Sequence, residues 1–139
     1  MELNNTAQYA IRILNYINMH TDEKRLLSAR KLSEALDINY KFLTAIMTKL
    51  VKAGFLESIR GKDGGFHLIK DANEIMLMDI IKLFDDSFDR SACLLGIDNK
   101  CNPDKKCFLH DRWKEPKKEI YELFEKSSLE DVKAQGERF

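Results

Sequence analysis

The segment Asp37-Ile38-Asn39-Tyr40-Lys41-Phe42-Leu43-Thr44-Ala45-Ile46-Met47-Thr48-Lys49-Leu50-Val51-Lys52-Ala53-Gly54 runs straight into Phe55-Leu56-Glu57-Ser58-Ile59-Arg60-Gly61-Lys62-Asp63-Gly64-Gly65-Phe66-His67-Leu68-Ile69. Its first half sets Leu43, Ile46, Met47, Leu50 and Val51 at helical spacing, the inward stripe of a helix over 40–53. Asn39 supplies the N-cap of that helix and Gly54 its stop. The opposite stripe, Lys41, Thr44, Ala45, Thr48 and Lys52, is small, polar or basic. The second half turns to β-leaning residues, 55–59 and 66–69, on either side of a glycine-rich turn. Asp63-Gly64 is a hairpin signal, because glycine accepts the positive φ that such turns require.

Upstream, Ser28 caps a helix over 29–36 whose apolar positions are Ala29, Leu32, Ala35 and Leu36, and 37–39 make a tight turn into the next helix. Before it, 6–19 places Ala7, Ala10, Ile11, Leu14 and Ile17 on one helical face. Two short helices joined by a tight turn, the second with a slim polar outer face, form a helix-turn-helix pattern, which other helical hairpins share. The basic hairpin that follows directly makes the unit a winged helix. On this reading Tyr40, Lys41, Thr44 and Thr48 face the major groove of double-stranded DNA, and Lys49 and Lys52 serve phosphates. Arg60, Lys62 and His67 belong to the wing, and Arg60 is suited to a narrow minor groove. The Gly-Lys-Asp-Gly-Gly turn is not a phosphate loop, since it joins two strands and lacks a Gly-Lys-Ser/Thr ending before a helix.

The chain has 139 residues, 44% hydrophobic and 33% charged, enough to build one core. Its formal net charge is zero, yet residues 1–70 hold 11 Lys/Arg against 7 Asp/Glu, and residues 71–139 hold 12 against 16. Within 38–62, Lys41, Lys49, Lys52, Arg60 and Lys62 face one acid, Glu57. Such a local field suits phosphate even in a neutral protein; a solvated helix face is the plainer alternative. The richest apolar run, 75–84, is broken by Asp79 and Lys82, well short of the ~18 residues that a membrane span needs. The start, Met-Glu-Leu-Asn-Asn-Thr, has neither a basic region nor a small-residue cleavage site, so a cytoplasmic location is expected.

Residues 75–84 are expected to form a fourth helix, 85–106 an irregular stretch, and about 106–126 a long helix. In that last helix Trp113, Ile120, Leu123 and Phe124 give an apolar stripe, and Pro116 marks a kink or a second start. Ser127/Glu130 and Ser128/Asp131 have capping-box spacing for a short final helix. The division expected is a winged helix-turn-helix domain over 1–72 and a helical region over 73–139 that contains a cysteine loop, 93–107.

Cys93, Cys101 and Cys107 have the spacing C-x7-C-x5-C, with His110 in C-x2-H. An odd number of clustered thiols among Asp, Asn, Lys and Pro suits neither a disulfide framework nor a packed core. Thiolates are soft ligands for zinc or an iron–sulfur cluster, and spacing and residue type do not choose between them. A thiol-redox switch is a third reading, with low-pKa cysteines near Lys100, Lys105 and Lys106. A redox enzyme or cluster carrier is a fourth, disfavoured by the absence of a Cys-x-x-Cys pair.

A winged helix with Arg60-Gly61-Lys62-Asp63-Gly64-Gly65-Phe66, then a helix, then three cysteines around Cys107-Phe108-Leu109-His110-Asp111-Arg112-Trp113, resembles the Rrf2 family of bacterial regulators. That family includes iron–sulfur-cluster-assembly, nitric-oxide-sensing and iron-responsive repressors. The resemblance spans residues 3 to about 135. It implies a mainly α fold with a small β-hairpin wing and a long C-terminal dimerisation helix, a homodimer, a palindromic operator, and no enzymatic activity. It also implies an iron–sulfur cluster in the 93–107 loop whose presence changes DNA affinity. By motif position Cys93, Cys101 and Cys107 fall on the cluster cysteines and His110 on a histidine ligand. The histidine points to [2Fe–2S], whereas the cysteine spacing is closer to members that hold [4Fe–4S]. The chain departs from the family twice. Gln8 stands where nitric-oxide sensors take an aspartate ligand, and Phe42-Leu43-Thr44-Ala45 replaces the frequent Tyr-Leu-Glu-Gln, removing two base-reading groups.

Overall fold

A computed structural model describes residues 3–20, 26–96 and 100–134. Six helices and one hairpin follow in order: α1 (Asn5–His20), α2 (Ala29–Leu36), α3 (Tyr40–Lys52), β1 (Leu56–Ile59), β2 (Gly65–Leu68), α4 (Leu77–Phe84), α5 (Leu109–Lys126) and α6 (Leu129–Ala134), with one 3-10 turn, Ala72–Glu74, before α4. This is the mainly helical, winged architecture that the periodicities predict. Among the described residues no helix is long and apolar enough to cross a membrane.

α1 is the central strut, packed against α2, α3, α4, α6 and β2. Its Ala7, Ala10, Ile13, Leu14 and Ile17 are fully buried, and all but Ala7 join Leu32 of α2 and Leu43, Ile46, Met47 and Leu50 of α3 in one core. The local chemistry of the helix-turn-helix is as expected. Ser28 Oγ accepts from the Lys31 N–H at 3.2 Å, and Asn39 Oδ1 accepts from the Phe42 N–H at 3.3 Å. Between them Asp37 takes a left-handed conformation (φ 51°), and the Ser33 hydroxyl donates to the Ile38 carbonyl at 2.6 Å. The buried Ile38 then plugs the turn into the core.

In the wing, β1 pairs antiparallel with β2, Leu56 opposite Leu68 and Ile59 opposite Gly65. Phe66 also donates to the Leu27 carbonyl at 2.8 Å, fastening the hairpin to the segment before α2. The turn differs from expectation in one detail. Positive φ falls on Gly61 (119°) and Gly65 (156°) rather than on Gly64. Gly64 is needed for another reason: a Cβ there would lie 2.1 Å from the Ile59 carbonyl oxygen, across the neck of the turn.

Two helix starts also differ. Ile75 and Met76 are extended rather than helical, because Met76 bridges to Ser128 while the Ile75 carbonyl accepts from the Leu129 N–H at 2.8 Å. α5 begins at Leu109, three residues late, and runs through Pro116 without a second start. Its most buried residue is Tyr121, stacked on Phe88 at 4.8 Å, whereas Leu123, expected on the inner stripe, is 60% exposed. α6 starts from a capping box in which Ser128 and Asp131 satisfy one another: the Ser128 N–H donates to Asp131 Oδ2 at 2.7 Å and the Asp131 N–H to Ser128 Oγ at 3.2 Å.

Candidate nucleic-acid interface and metal centre

The outer face of α3 carries exposed Tyr40, Lys41, Ala45, Thr48 and Lys52, with Thr44 half-buried beside them. Thr44 Oγ1 donates to the Lys41 carbonyl at 2.9 Å and Thr48 Oγ1 to the Thr44 carbonyl at 2.8 Å. Each hydroxyl thereby keeps its lone pairs turned away from the helix backbone, free to accept. Lys49 lies at the edge of this face, its Nζ 5.1 Å from the centroid of the Phe84 ring at the end of α4. Arg60 and Lys62 are exposed at the tip of the wing. His67 sits on the wing too, but its Nε2 is 3.1 Å from Glu57 Oε2 on the opposite strand, so the ring is turned to a cross-strand partner.

The second site lies between α5 and the irregular segment after α4. A cavity of about 330 Å³ is lined by all three cysteines and His110, with Leu94, Leu95, Leu109 and Trp113 as its apolar wall. Gly96 closes the loop on itself: a Cβ there would lie 2.1 Å from the Lys100 carbonyl oxygen and 2.9 Å from Cys93 Cβ. Cys101 Sγ is 3.0 Å from His110 Nδ1. His110 is presented by the first turn of α5, its N–H donating to the Cys107 carbonyl at 3.0 Å. Its Nε2 lies 4.0 Å from Oδ1 of the exposed Asp111, beyond hydrogen-bond reach. The four side chains thus share one cavity, although among the described residues no three His, Cys, Asp or Glu side chains stand in ligating positions together.

Desolvation, and then the neighbouring Cys93, push the Cys101 thiol above its ordinary pKa; the opposing pull of Lys106 is the weakest contribution. The expectation of a low-pKa thiol beside lysines is therefore corrected for Cys101: its sulfur neighbours outweigh its cationic one. Gln8 Nε2 donates to the Leu3 carbonyl at 2.7 Å.

Periodicity alone missed Arg90, Lys117 and Tyr121, which line the same cavity. Spacing from His110 offered a signal, because 110, 113/114, 117 and 121 follow one face of a helix. Tyr121 is 1% exposed, and its hydroxyl has no hydrogen-bond partner among the described residues. Burial is the main reason that its pKa is pushed up to about 12.

The Rrf2 family model, described as an iron-dependent transcriptional regulator, matches residues 3–135. The chain belongs to the Rrf2 family. Rrf2 proteins are transcriptional regulators that bind DNA, so the enzyme and carrier alternatives fall. An HTH-type transcriptional regulator of Aquifex aeolicus is 33% identical over 134 residues, which cover 95% of this Rrf2 chain and 91% of the relative. The regulator IscR of Photorhabdus laumondii is 30% identical over 132 residues, covering 95% and 79%. Among solved structures, CymR (YrzC), the global cysteine regulator of B. subtilis, has a TM-score of 0.83 over 99% of both chains at 18% identity, a likeness of fold.

Proposed function

We propose that this Rrf2 regulator is a repressor that reads a palindromic operator as a homodimer, with an affinity set by an iron–sulfur cluster held by Cys93, Cys101, Cys107 and His110. The observation that carries the reading is that all four side chains line one cavity, with Cys101 Sγ 3.0 Å from His110 Nδ1. Three soft thiolates and an imidazole fit a cluster, either [2Fe–2S] or [4Fe–4S], and the same donors fit zinc. When bound, a cluster supplies a centre whose charge and integrity respond to oxidants, nitric oxide or iron supply.

In this reading residues 1–72 recognise DNA, and 73–139 dimerise and hold the centre. Tyr40, Lys41, Thr44 and Thr48 enter the major groove, Lys49 and Lys52 meet phosphate, and Arg60, Lys62 and His67 form the wing contact. His67 reaches DNA only by leaving Glu57. α5 supports the dimer. Its Leu123 is exposed, an apolar side chain that a second copy can cover. The segment bearing the cysteines starts where α4 ends, and Phe84 there touches Lys49 of α3. A loop rearrangement therefore has a short path to the DNA-reading helix, and a tenfold change in affinity needs only about 1.4 kcal/mol.

The test is purification without oxygen, with visible spectrum, iron, acid-labile sulfide and zinc measured on one sample. A brown protein with equal iron and sulfide, whose operator affinity changes on cluster removal, is the expected result. A colourless protein with one zinc per chain would replace the cluster by a structural zinc. A metal-free protein, even after anaerobic reconstitution, would leave thiol-redox control.

A further inference from the structure

The carbonyl that joins Ala92 to Cys93 is held by α5. Lys117 Nζ donates to it at 2.5 Å, across 25 residues of sequence. The rest of the preceding turn is internally satisfied. The Ala92 N–H donates to the Asp89 carbonyl at 3.0 Å, and the Asp89 carboxylate accepts from the Ser91 N–H and hydroxyl at 2.9 and 2.6 Å. The Ala92 carbonyl is the backbone point at which this turn is fastened to the helix, beside the side-chain pair Arg90–Glu125.

Lys117 also stands apart electrostatically. Among the described residues the cavity is lined by Arg90, Lys114, Lys117 and Lys118 and by no carboxylate. Arg90 is committed to a salt bridge with Glu125, and Lys114 and Lys118 are exposed. Lys117 alone of the four is half-buried, its ammonium interacting first with the Asp89 carboxylate of the turn and then with Cys93. An ammonium has three donors, and the Ala92 carbonyl uses one.

We infer that Lys117 is the positioning residue of the cysteine centre: it fixes the Cys93 peptide against α5 and keeps a desolvated positive charge beside the thiolates. This rests on the metal-centre reading. Positive charge and hydrogen bonds at ligating sulfurs favour the reduced, more negative state, so Lys117 raises the reduction potential of the centre as well as its retention.

The test compares wild type with Lys117→Met, Lys117→Arg and Lys118→Met, the last removing the same charge from the cavity rim without touching the Ala92 carbonyl. Two quantities are read: the midpoint potential of the anaerobically reconstituted protein, and the Co²⁺ affinity of the metal-free protein from its thiolate-to-cobalt absorption. Lys117→Met is expected to lower the potential by about 59 mV, tenfold for one electron, and to weaken Co²⁺ binding about tenfold. Lys117→Arg recovers most of both, and Lys118→Met stays near wild type. An unchanged Lys117→Met overturns the inference while the metal centre stands. So does an equal shift in Lys118→Met, or weakened Co²⁺ binding with an unmoved potential, which marks a mere strut. A wild type that takes Co²⁺ but no cluster removes the cluster reading and leaves Lys117 to the Co²⁺ comparison; one that takes neither removes both.

Discussion

At the residue scale, Asp85 ties the exit of α4 to the segment before α1. It is 3% exposed at the exit of α4, and Oδ2 accepts from the Asn4 N–H at 2.9 Å while Oδ1 accepts from the Ser87 N–H and hydroxyl at 3.1 and 2.5 Å. Burial pushes this carboxyl up, but the hydrogen bonds from Ser87 and Asn4 together outweigh it and hold the pKa below 3.8. A depressed folded-state pKa means that the contribution is fully present above about pH 4 and is lost as pH falls through that range. Asp85→Ala is expected to cost about 1–3 kcal/mol at pH 7, since two backbone donors lose their acceptor, and to flatten the stability profile below pH 4. Urea denaturation at a series of pH values checks both; a mutant whose loss of stability is the same at pH 7 and pH 2.5 contradicts it. Nothing in Asp85-Asp86-Ser87 as a sequence separates this residue from a loop acid, because its partner Asn4 lies 81 positions away.

At the scale of elements, what was legible followed from local chemistry. The helix-turn-helix came out within a residue of expectation because its caps, Ser28 and Asn39, and its apolar stripes all act within a turn or two of chain. Where a partner is distant, the reading slipped. Residues 75 and 76 have helical periodicity but pair with 127–129, and Tyr121 outranks Leu123 in burial because Phe88 arrives from the irregular segment to cover it. That the three cysteines and His110 lie close together was legible; the cavity they line, whose floor comes from α5, was not. Its closure depends on Gly96. Gly96→Ala forces apart the Lys100 carbonyl and the Cys93 side chain, so metal retention should fall at least tenfold while α1–α4 keep their stability. Metal stoichiometry after desalting, beside the thermal midpoint of the metal-free protein, measures the two effects separately. A mutant that retains metal like wild type would show that the loop closes without this contact.

For the whole molecule, one core runs from α1 to α6 and leaves α5 with an apolar residue facing outward. Leu123 is 60% exposed on α5, the helix proposed to carry the dimer. Leu123→Asp is expected to leave the fold of each chain intact, since no core contact is lost, and to shift dimers to monomers with a matching loss of operator affinity. Sedimentation at micromolar concentration decides this, and an unchanged dimer moves the interface elsewhere. The same cavity that gathers the thiols also holds Trp113, the only tryptophan in the sequence. The protein is thus furnished with its own lamp. Indole emission, excited apart from the tyrosines, comes from one wall of the cavity, and a coloured centre seated among the sulfurs would drain that excited state by energy transfer. Occupancy of the site can then be followed in dilute solution, by light and without a label, while operator DNA is added to the same cuvette.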